Sequence, residues 1–201
     1  PVRNIWERIL KNENLVRHID MSKTPTAPYH YIESIGVKDF FENYGEKLLL
    51  RLVTSEKTLS RSTIRERSVN RPALAVTGYF KYFAHKRIQL FGAGEMAFFR
   101  EQSPRNRTKV METMAAKRIP CVVVSRNLAP TPEMIEILES KGIPLFRTSL
   151  TSKAFTTEVT VMLEERFAPR STYHGTLLDV RGIGTLIRGD SGSGKSEAAL
   201  A

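Results

Sequence analysis

One octapeptide constrains this chain more than any other feature. Gly189-Asp190-Ser191-Gly192-Ser193-Gly194-Lys195-Ser196 matches G-x-x-x-x-G-K-[ST] at every fixed position. Such a loop needs a strand before it and a helix after it. Gly184 to Arg188 (GTLIR) reads as the strand, and Glu197-Ala198-Ala199-Leu200-Ala201 are good helix formers. A chance match in a chain of this length is on the order of 1% or less at ordinary glycine usage. The spacing follows from chemistry. Nucleotide phosphates carry several negative charges, and backbone N–H groups wrap them only where glycine admits the chain without a Cβ clash. The helix that follows points its positive end at the same anion. Lys195 then reaches the β- and γ-phosphates as a mobile point charge. The Ser196 hydroxyl ligates the Mg²⁺ that bridges them. Gly189, Asp190, Ser191, Gly192, Ser193, Gly194, Lys195 and Ser196 are therefore the expected nucleotide site.

Upstream of this loop, strand and helix patterns alternate. Gly36 to Tyr44 reads as a short helix with Val37, Phe40 and Phe41 on one side. Lys47 to Thr54 reads as a strand, although its leucines leave helix open. Pro72 to Gly78 reads as a buried strand closed by glycine, and Arg87 to Gly92 as another. Helices are expected over Gly94 to Arg100 and Arg107 to Lys117. Ile119 to Ser125 is the strongest strand signal, β-branched and apolar on both faces. Thr131 is an expected N-cap with Pro132 at the first helical position, and Gly142 ends that helix. Ile143 to Arg147 reads as a short strand, and Ser152 to Phe167 as an amphipathic helix. Alternation of this kind predicts βαβ units and a mostly parallel sheet, an α/β fold. Ala168-Pro169-Arg170 breaks the pattern. Ile5, Trp6, Ile9 and Leu10 have helical spacing, but the prolines at 25 and 28 read as a linker. The expected organisation is an N-terminal extension over 1–31, an α/β domain over 32–168 and the beginning of a second domain over 170–201.

Composition removes several function classes. One cysteine, Cys121, excludes an internal disulfide framework and a multi-cysteine metal site, and it reads as a buried strand residue rather than a nucleophile. No apolar run approaches the roughly 20 residues that span a bilayer, and charges interrupt every apolar stretch near the N-terminus. A cytoplasmic protein without a membrane role is the resulting expectation. Thirty-one Lys and Arg against 21 Asp and Glu give a formal charge of +10, which suits an acidic partner without choosing one. The runs Arg61, Arg65, Arg67, Arg71 and Arg105, Arg107, Lys109 read as solvated faces. No helix-turn-helix, RNA-binding aromatic pattern or zinc spacing accompanies them, so nucleic acid is not an expected partner. Tyr79, Phe80, Tyr82 and Phe83 read as core.

His174 adds a residue near the loop. A two-residue hairpin turn at Arg181-Gly182, between strands over 172–180 and 184–188, pairs the strands so that His174 lies opposite Gly189. A histidine there can hold a phosphate oxygen or set the charge of a nearby acid. The plainer reading from spacing alone is a histidine packed on a strand, because one register slip turns the side chain away.

These residues resemble the bacterial HPr kinase/phosphorylase family. The resemblance rests on His174-Gly175, Asp179-Val180, Gly182-Ile183-Gly184 and the run from Gly189 to Glu197. It extends upstream to Asn70-Arg71-Pro72-Ala73-Leu74, Gly78-Tyr79-Phe80, Arg87 to Gly92, Glu95, Pro120 to Ser125 and Gly142-Ile143-Pro144-Leu145. The blocks stand in order from about residue 36 to the end. The resemblance implies a bifunctional enzyme of the phosphotransferase system and carbon control. Such an enzyme phosphorylates a serine of the phosphocarrier protein HPr with ATP or pyrophosphate, and phosphorolyses that group to pyrophosphate. It also implies a Mur-ligase-like N-terminal α/β domain, then a P-loop kinase domain similar to phosphoenolpyruvate carboxykinase, and a homo-hexamer.

Roles follow position by position. Lys195 matches the family's phosphate-binding lysine and Ser196 its magnesium ligand. His174 matches its active-site histidine, so His174 and Lys195 are the expected catalytic residues and Ser196 the expected metal ligand. Glu197 matches a glutamate whose role is open. Ser193 replaces a usual apolar residue and Ala198 a common threonine, and both read as drift. The family's catalytic aspartate, second magnesium ligand and substrate loop lie downstream of the phosphate loop. Phosphoryl transfer needs a base and metal-binding carboxylates. The chain is therefore expected to be a fragment or the ordered part of a longer protein, inactive as a kinase alone. Two other readings stay open: another P-loop kinase or NTPase acting on a small molecule, and a non-catalytic interaction or sensing module.

Overall fold

The parallel ladder begins where the sequence is most apolar. The computed structural model describes residues 30–200, so the helical spacing at Ile5, Trp6, Ile9 and Leu10 and the prolines at 25 and 28 lie outside the described residues. Tyr31–Pro169 form one unit, and His30 with residues 170–200 belong to another. In the first unit β5 (Ile88–Phe91), β6 (Val122–Val124) and β7 (Leu145–Thr148) pair in parallel, with β4 (Val69–Asn70) parallel on the far side of β5. A fifth strand, β2 (Leu50–Leu52), runs antiparallel on β7, giving the order β2-β7-β6-β5-β4. A separate two-residue pair joins β1 (Ile35–Gly36) to β3 (Thr63–Ile64). The fold is α/β with a predominantly parallel sheet.

Both faces of that sheet are buried, as a sheet fed by helical crossovers requires. Successive side chains point to opposite faces. Ile88, Leu90, Cys121, Val123 and Phe146 therefore meet α1 (Val37–Tyr44) and α5 (Ser152–Arg166) through Val37, Phe40, Phe155, Val159 and Leu163. Phe91, Val122, Val124 and Leu145 meet α2 (Ala93–Glu101), α3 (Pro104–Ala116) and α4 (Pro132–Lys141) through Met96, Phe99, Met111, Met114, Met134 and Leu138. This explains why β6 reads as apolar throughout. Burial also pushes the Cys121 thiol pKa up, which suits a core residue and not a nucleophile.

Helix starts follow the expected chemistry. Thr131 Oγ1 accepts from the Met134 N–H at 3.5 Å, with Pro132 next, and Gly142 closes α4 at φ +67°. Ser103 and Pro104 begin α3 in the same manner, three residues before the helix expected from Arg107.

Two expectations fail. Pro72 to Gly78 is not a strand. Its backbone groups bond locally, Val76 N–H to the Pro72 carbonyl at 3.0 Å and Gly78 N–H to the Ala75 carbonyl at 2.9 Å, forming a 3₁₀ turn over Ala75–Thr77. Pro72 donates nothing to a ladder, and the strand lies before the proline, at Val69–Asn70. Of the four aromatics after that turn, Phe80 and Phe83 pack edge to face at 5.3 Å, while Tyr79 is 48% and Tyr82 84% exposed. They sit in a connection, where only some side chains reach the core.

In the second unit β8 (Thr176–Val180) and β9 (Ile183–Ile187) form an antiparallel hairpin, followed by α6 (Lys195–Leu200). Thr176 pairs with Ile187 and Val180 with Ile183, the register expected from a two-residue turn. His30 and Arg170 form an isolated bridge.

Candidate functional site

The hairpin delivers the chain to the glycine-rich loop in a set direction. Arg181 and Gly182 both have positive φ, 55° and 83°, the signature of the primed turn whose twist matches paired strands. Asp179 Oδ1 accepts from the Gly182 N–H at 2.7 Å and braces that turn. Arg188 stacks over the Tyr173 ring at 4.5 Å beside the exit of β9.

From Gly189 to Ser196 the backbone forms a turn that runs into α6. Ser193 N–H bonds the Asp190 carbonyl at 3.2 Å. Gly192 and Gly194 have φ of +78° and +81°, a region that side chains other than glycine disfavour. A Cβ on Gly189 would stand 2.7 Å from Ser193 Oγ, so the loop is tight at its first residue. The Lys195 ammonium folds back across the loop. It donates to the Gly189 carbonyl at 2.9 Å and to the Asp190 carbonyl at 2.5 Å. A lysine ammonium so placed can exchange carbonyl oxygens for phosphate oxygens without a large movement.

Ser196 stands exposed in the first turn of α6. Glu197 brings a carboxylate to the same turn, its Oε2 lying 3.9 Å from the position a Cβ on Gly194 would take. The donors fit a phosphate chain: one ammonium, backbone N–H groups and a hydroxyl. For Mg²⁺ the fit is narrower. Ser196 supplies one oxygen, and no group of three or more His, Cys, Asp or Glu able to hold a metal exists among the described residues. Magnesium commonly takes few protein ligands and completes its shell from water and phosphate.

His174 lies two residues before the first ladder pair, Thr176 with Ile187, and is exposed. No hydrogen bond or ion pair joins it to the loop among the described residues. The expected loop residues thus come together in one turn, and His174 stays at its approach. Asp179 carries part of the resemblance and Arg188 ends the strand read before the loop, but the sequence does not show that they orient the hairpin. Their partners, Gly182 and Tyr173, become visible only once the strands are paired.

Other charged residues resolve into separate contacts. Arg71 pairs with the buried Glu95 at 2.7 Å, Arg67 donates to the Phe167 carbonyl, and Arg107 pairs with Glu133. The arginine run from 61 to 71 is therefore not one continuous face. No helix among the described residues is long and apolar enough to cross a membrane.

Comparison with known proteins gives consistent matches. The model described as "HPr Serine kinase N terminus" matches residues 35–163, and "HPr Serine kinase C-terminal domain" matches 165–201. A protein of Latilactobacillus sakei named HPr kinase/phosphorylase is 39% identical over 153 residues, 76% of this chain and 49% of its own length. Its namesake in Caldicellulosiruptor bescii is 38% identical over 164 residues, 80% of this chain and 53% of its own length. That of Listeria welshimeri is 39% identical over 168 residues, 84% and 52%. The chain spans about half the length of the curated relatives it matches. Among solved structures, the CBS and DRTGG domains of the regulatory region of a Clostridium perfringens pyrophosphatase cover 61% of the chain at 13% identity, with a TM-score of 0.44. That likeness is too loose to bear on the fold.

Proposed function

Because this chain belongs to the HPr serine kinase family, we propose that it carries the phosphate-donor site of a protein serine kinase/phosphorylase acting on the carrier protein HPr. The observation that supports this reading most directly is the Lys195 ammonium, held at 2.9 Å from the Gly189 carbonyl within a turn shaped by Gly192 and Gly194. The donor is ATP or pyrophosphate, and the reverse reaction uses inorganic phosphate to return the group as pyrophosphate. Gly189, Asp190, Ser191, Gly192, Ser193 and Gly194 wrap the phosphates, Lys195 neutralises developing charge, and Ser196 would hold the Mg²⁺. That ion supplies charge neutralisation on the transferred group. His174, two residues ahead of the β8–β9 ladder, serves the same site by holding a phosphate oxygen or tuning an acid.

The same reading carries a homo-hexameric, cytoplasmic enzyme of the phosphotransferase system. It also carries a division of labour. Residues 170–201 begin the kinase domain, and the 201-residue chain alone binds the donor without transferring the phosphoryl group. A general base for the serine hydroxyl and the metal carboxylates are supplied from elsewhere. Equilibrium dialysis with ATP tests the site: Lys195→Ala should weaken binding at least tenfold. Retention of full affinity overturns the role of Lys195. Mass spectrometry of HPr incubated with the chain, ATP and Mg²⁺ tests the division of labour. An added phosphate would overturn it.

A further inference from the structure

A second basic concavity lies wholly within the unit Tyr31–Pro169. Its volume is about 430 Å³, in the range of small-molecule sites. It sits where the chain enters the parallel strands β5, β6 and β7, between the segment around β3 and the C-terminal ends of α3 and α4. Six cations line it: Arg61, Arg65, Lys86, Lys117, Arg118 and Lys141. No carboxylate lines it, and none of the six takes part in an ion pair among the described residues. Nearby acids are engaged elsewhere, Glu66 with Arg87 and Glu139 with Ser55. The floor is apolar and buried, formed by Ala115, Ile119 and Ile143.

A plainer reading accounts for half of this. Lys117, Arg118 and Lys141 end α3 and α4, where cations complement the helix dipoles. It does not account for Arg61, Arg65 and Lys86, which arrive from other segments. Nor does it account for the backbone of Arg118. The two helix ends are built alike, each followed by a left-handed residue. That residue is Gly142 after α4, at φ +67°, and Arg118 after α3, at φ +56°. Glycine is the relaxed choice there, so an arginine holds its position against a backbone penalty. Arg61 lies along the other end, its Cδ 3.7 Å from where a Cβ on Gly142 would be. Two arginines thus line the concavity, one beside each of the two helix C-termini.

The geometry points to this concavity as a binding site for a small polyphosphorylated molecule, separate from the glycine-rich loop. Charge sets the class. Each terminal phosphoryl group brings about −1.5 to −2 at neutral pH, so two offset more than half of the six positive charges and three come close to balancing them. Guanidinium forks match phosphate oxygens in pairs.

The probe is inorganic tripolyphosphate, titrated calorimetrically into the chain carrying Lys195→Ala, so that the loop contributes little. Saturable one-to-one binding is expected, at least tenfold tighter than that of inorganic phosphate. Arg61→Gln with Arg118→Gly should weaken it tenfold or more while leaving the fold intact, since glycine relaxes residue 118. Lys86→Gln, on a separate segment, should weaken it severalfold and guards against misfolding of the double variant. Arg105→Gln, which removes one charge elsewhere on the surface as Lys86→Gln does within the concavity, should leave it within twofold. Absence of saturable binding overturns the site, as does an undiminished affinity in the Arg61/Arg118 variant. Weakening by Arg105→Gln equal to that by Lys86→Gln also overturns it, because binding would then report net charge alone. ATP in place of tripolyphosphate separates the sources. Tighter binding assigns the apolar floor to an organic body, and equal binding assigns the site to the phosphate chain.

Discussion

Glu133, in the first turn of α4, accepts from Arg107 Nη2 at 2.7 Å, and both side chains are about 85% removed from solvent, at 15% and 16% exposure. Arg107 also donates to the carbonyls of Arg100 and Gln102 at 3.1 and 2.6 Å, tying α3 to the end of α2. The pair is single-pronged, since Arg107 Nε and Glu133 Oε2 are buried without a protein partner. The Arg107 hydrogen bond holds the Glu133 carboxyl well below its ordinary value, at about 2. A depressed carboxylate pKa stabilises the fold fully above the unfolded value, near 4.5, and loses that stabilisation as pH falls towards about 2. Glu133→Gln should therefore lower the Tm by about 2–4 °C at pH 7. The gap from the parent should close between pH 4.5 and 2, which calorimetric melts across that window check. Arg107 read as a solvated residue in a basic run because its partner lies 26 positions away, and no local spacing announces such a contact. Buried Gln89 is similar: it accepts from Asn70 Nδ2 at 2.7 Å and donates to the carbonyls of Ala84 and Arg87, a network visible only once β4 and β5 pair.

Elements were legible where their own residues dictate them. β6 carries its signal because both faces of a central parallel strand are buried. α4 carries it in Thr131, Pro132 and Gly142, one residue type for each terminal requirement. The cap at Thr131 contributes locally, so Thr131→Ala should cost about 1 kcal/mol, read from the midpoint of urea unfolding. Short strands were not legible. Val69–Asn70 is two residues long, and only its partners Ile88 and Gln89 make it a strand. Pro72 to Gly78 has the apolar composition of a buried strand, but its proline has no N–H for a ladder and the segment turns instead. The β8–β9 hairpin lies between these cases. Its register followed from Arg181-Gly182, although arginine is a strained choice at φ 55°. Arg181→Asn suits the primed turn and should slow amide exchange over Thr176–Val180 by roughly two- to fivefold.

At the scale of the whole molecule, the buried apolar residues among those described belong to one stretch of chain. Both core clusters draw their buried members from Ile35 to Phe167. Between residues 170 and 200 no apolar residue is buried. Leu177, Ile183 and Leu200 are 73%, 69% and 88% exposed, and the glycine-rich loop rests on one hairpin and a six-residue helix. A two-stranded hairpin has little stability of its own, whereas a five-stranded sheet covered on both faces is self-sufficient. The α/β character was therefore readable from alternation alone, while the phosphate loop was readable as a motif and not as a packed site. It follows that residues 31–169 prepared alone should fold cooperatively, with a single thermal transition within about 5 °C of that of the 201-residue chain. In the longer chain, amides of β8 and β9 should exchange orders of magnitude faster than those of β5 and β6. A disordered spectrum for 31–169 would show that the core depends on residues outside that stretch, and equal protection in both sheets would show that the β8–β9 hairpin is not the weaker element.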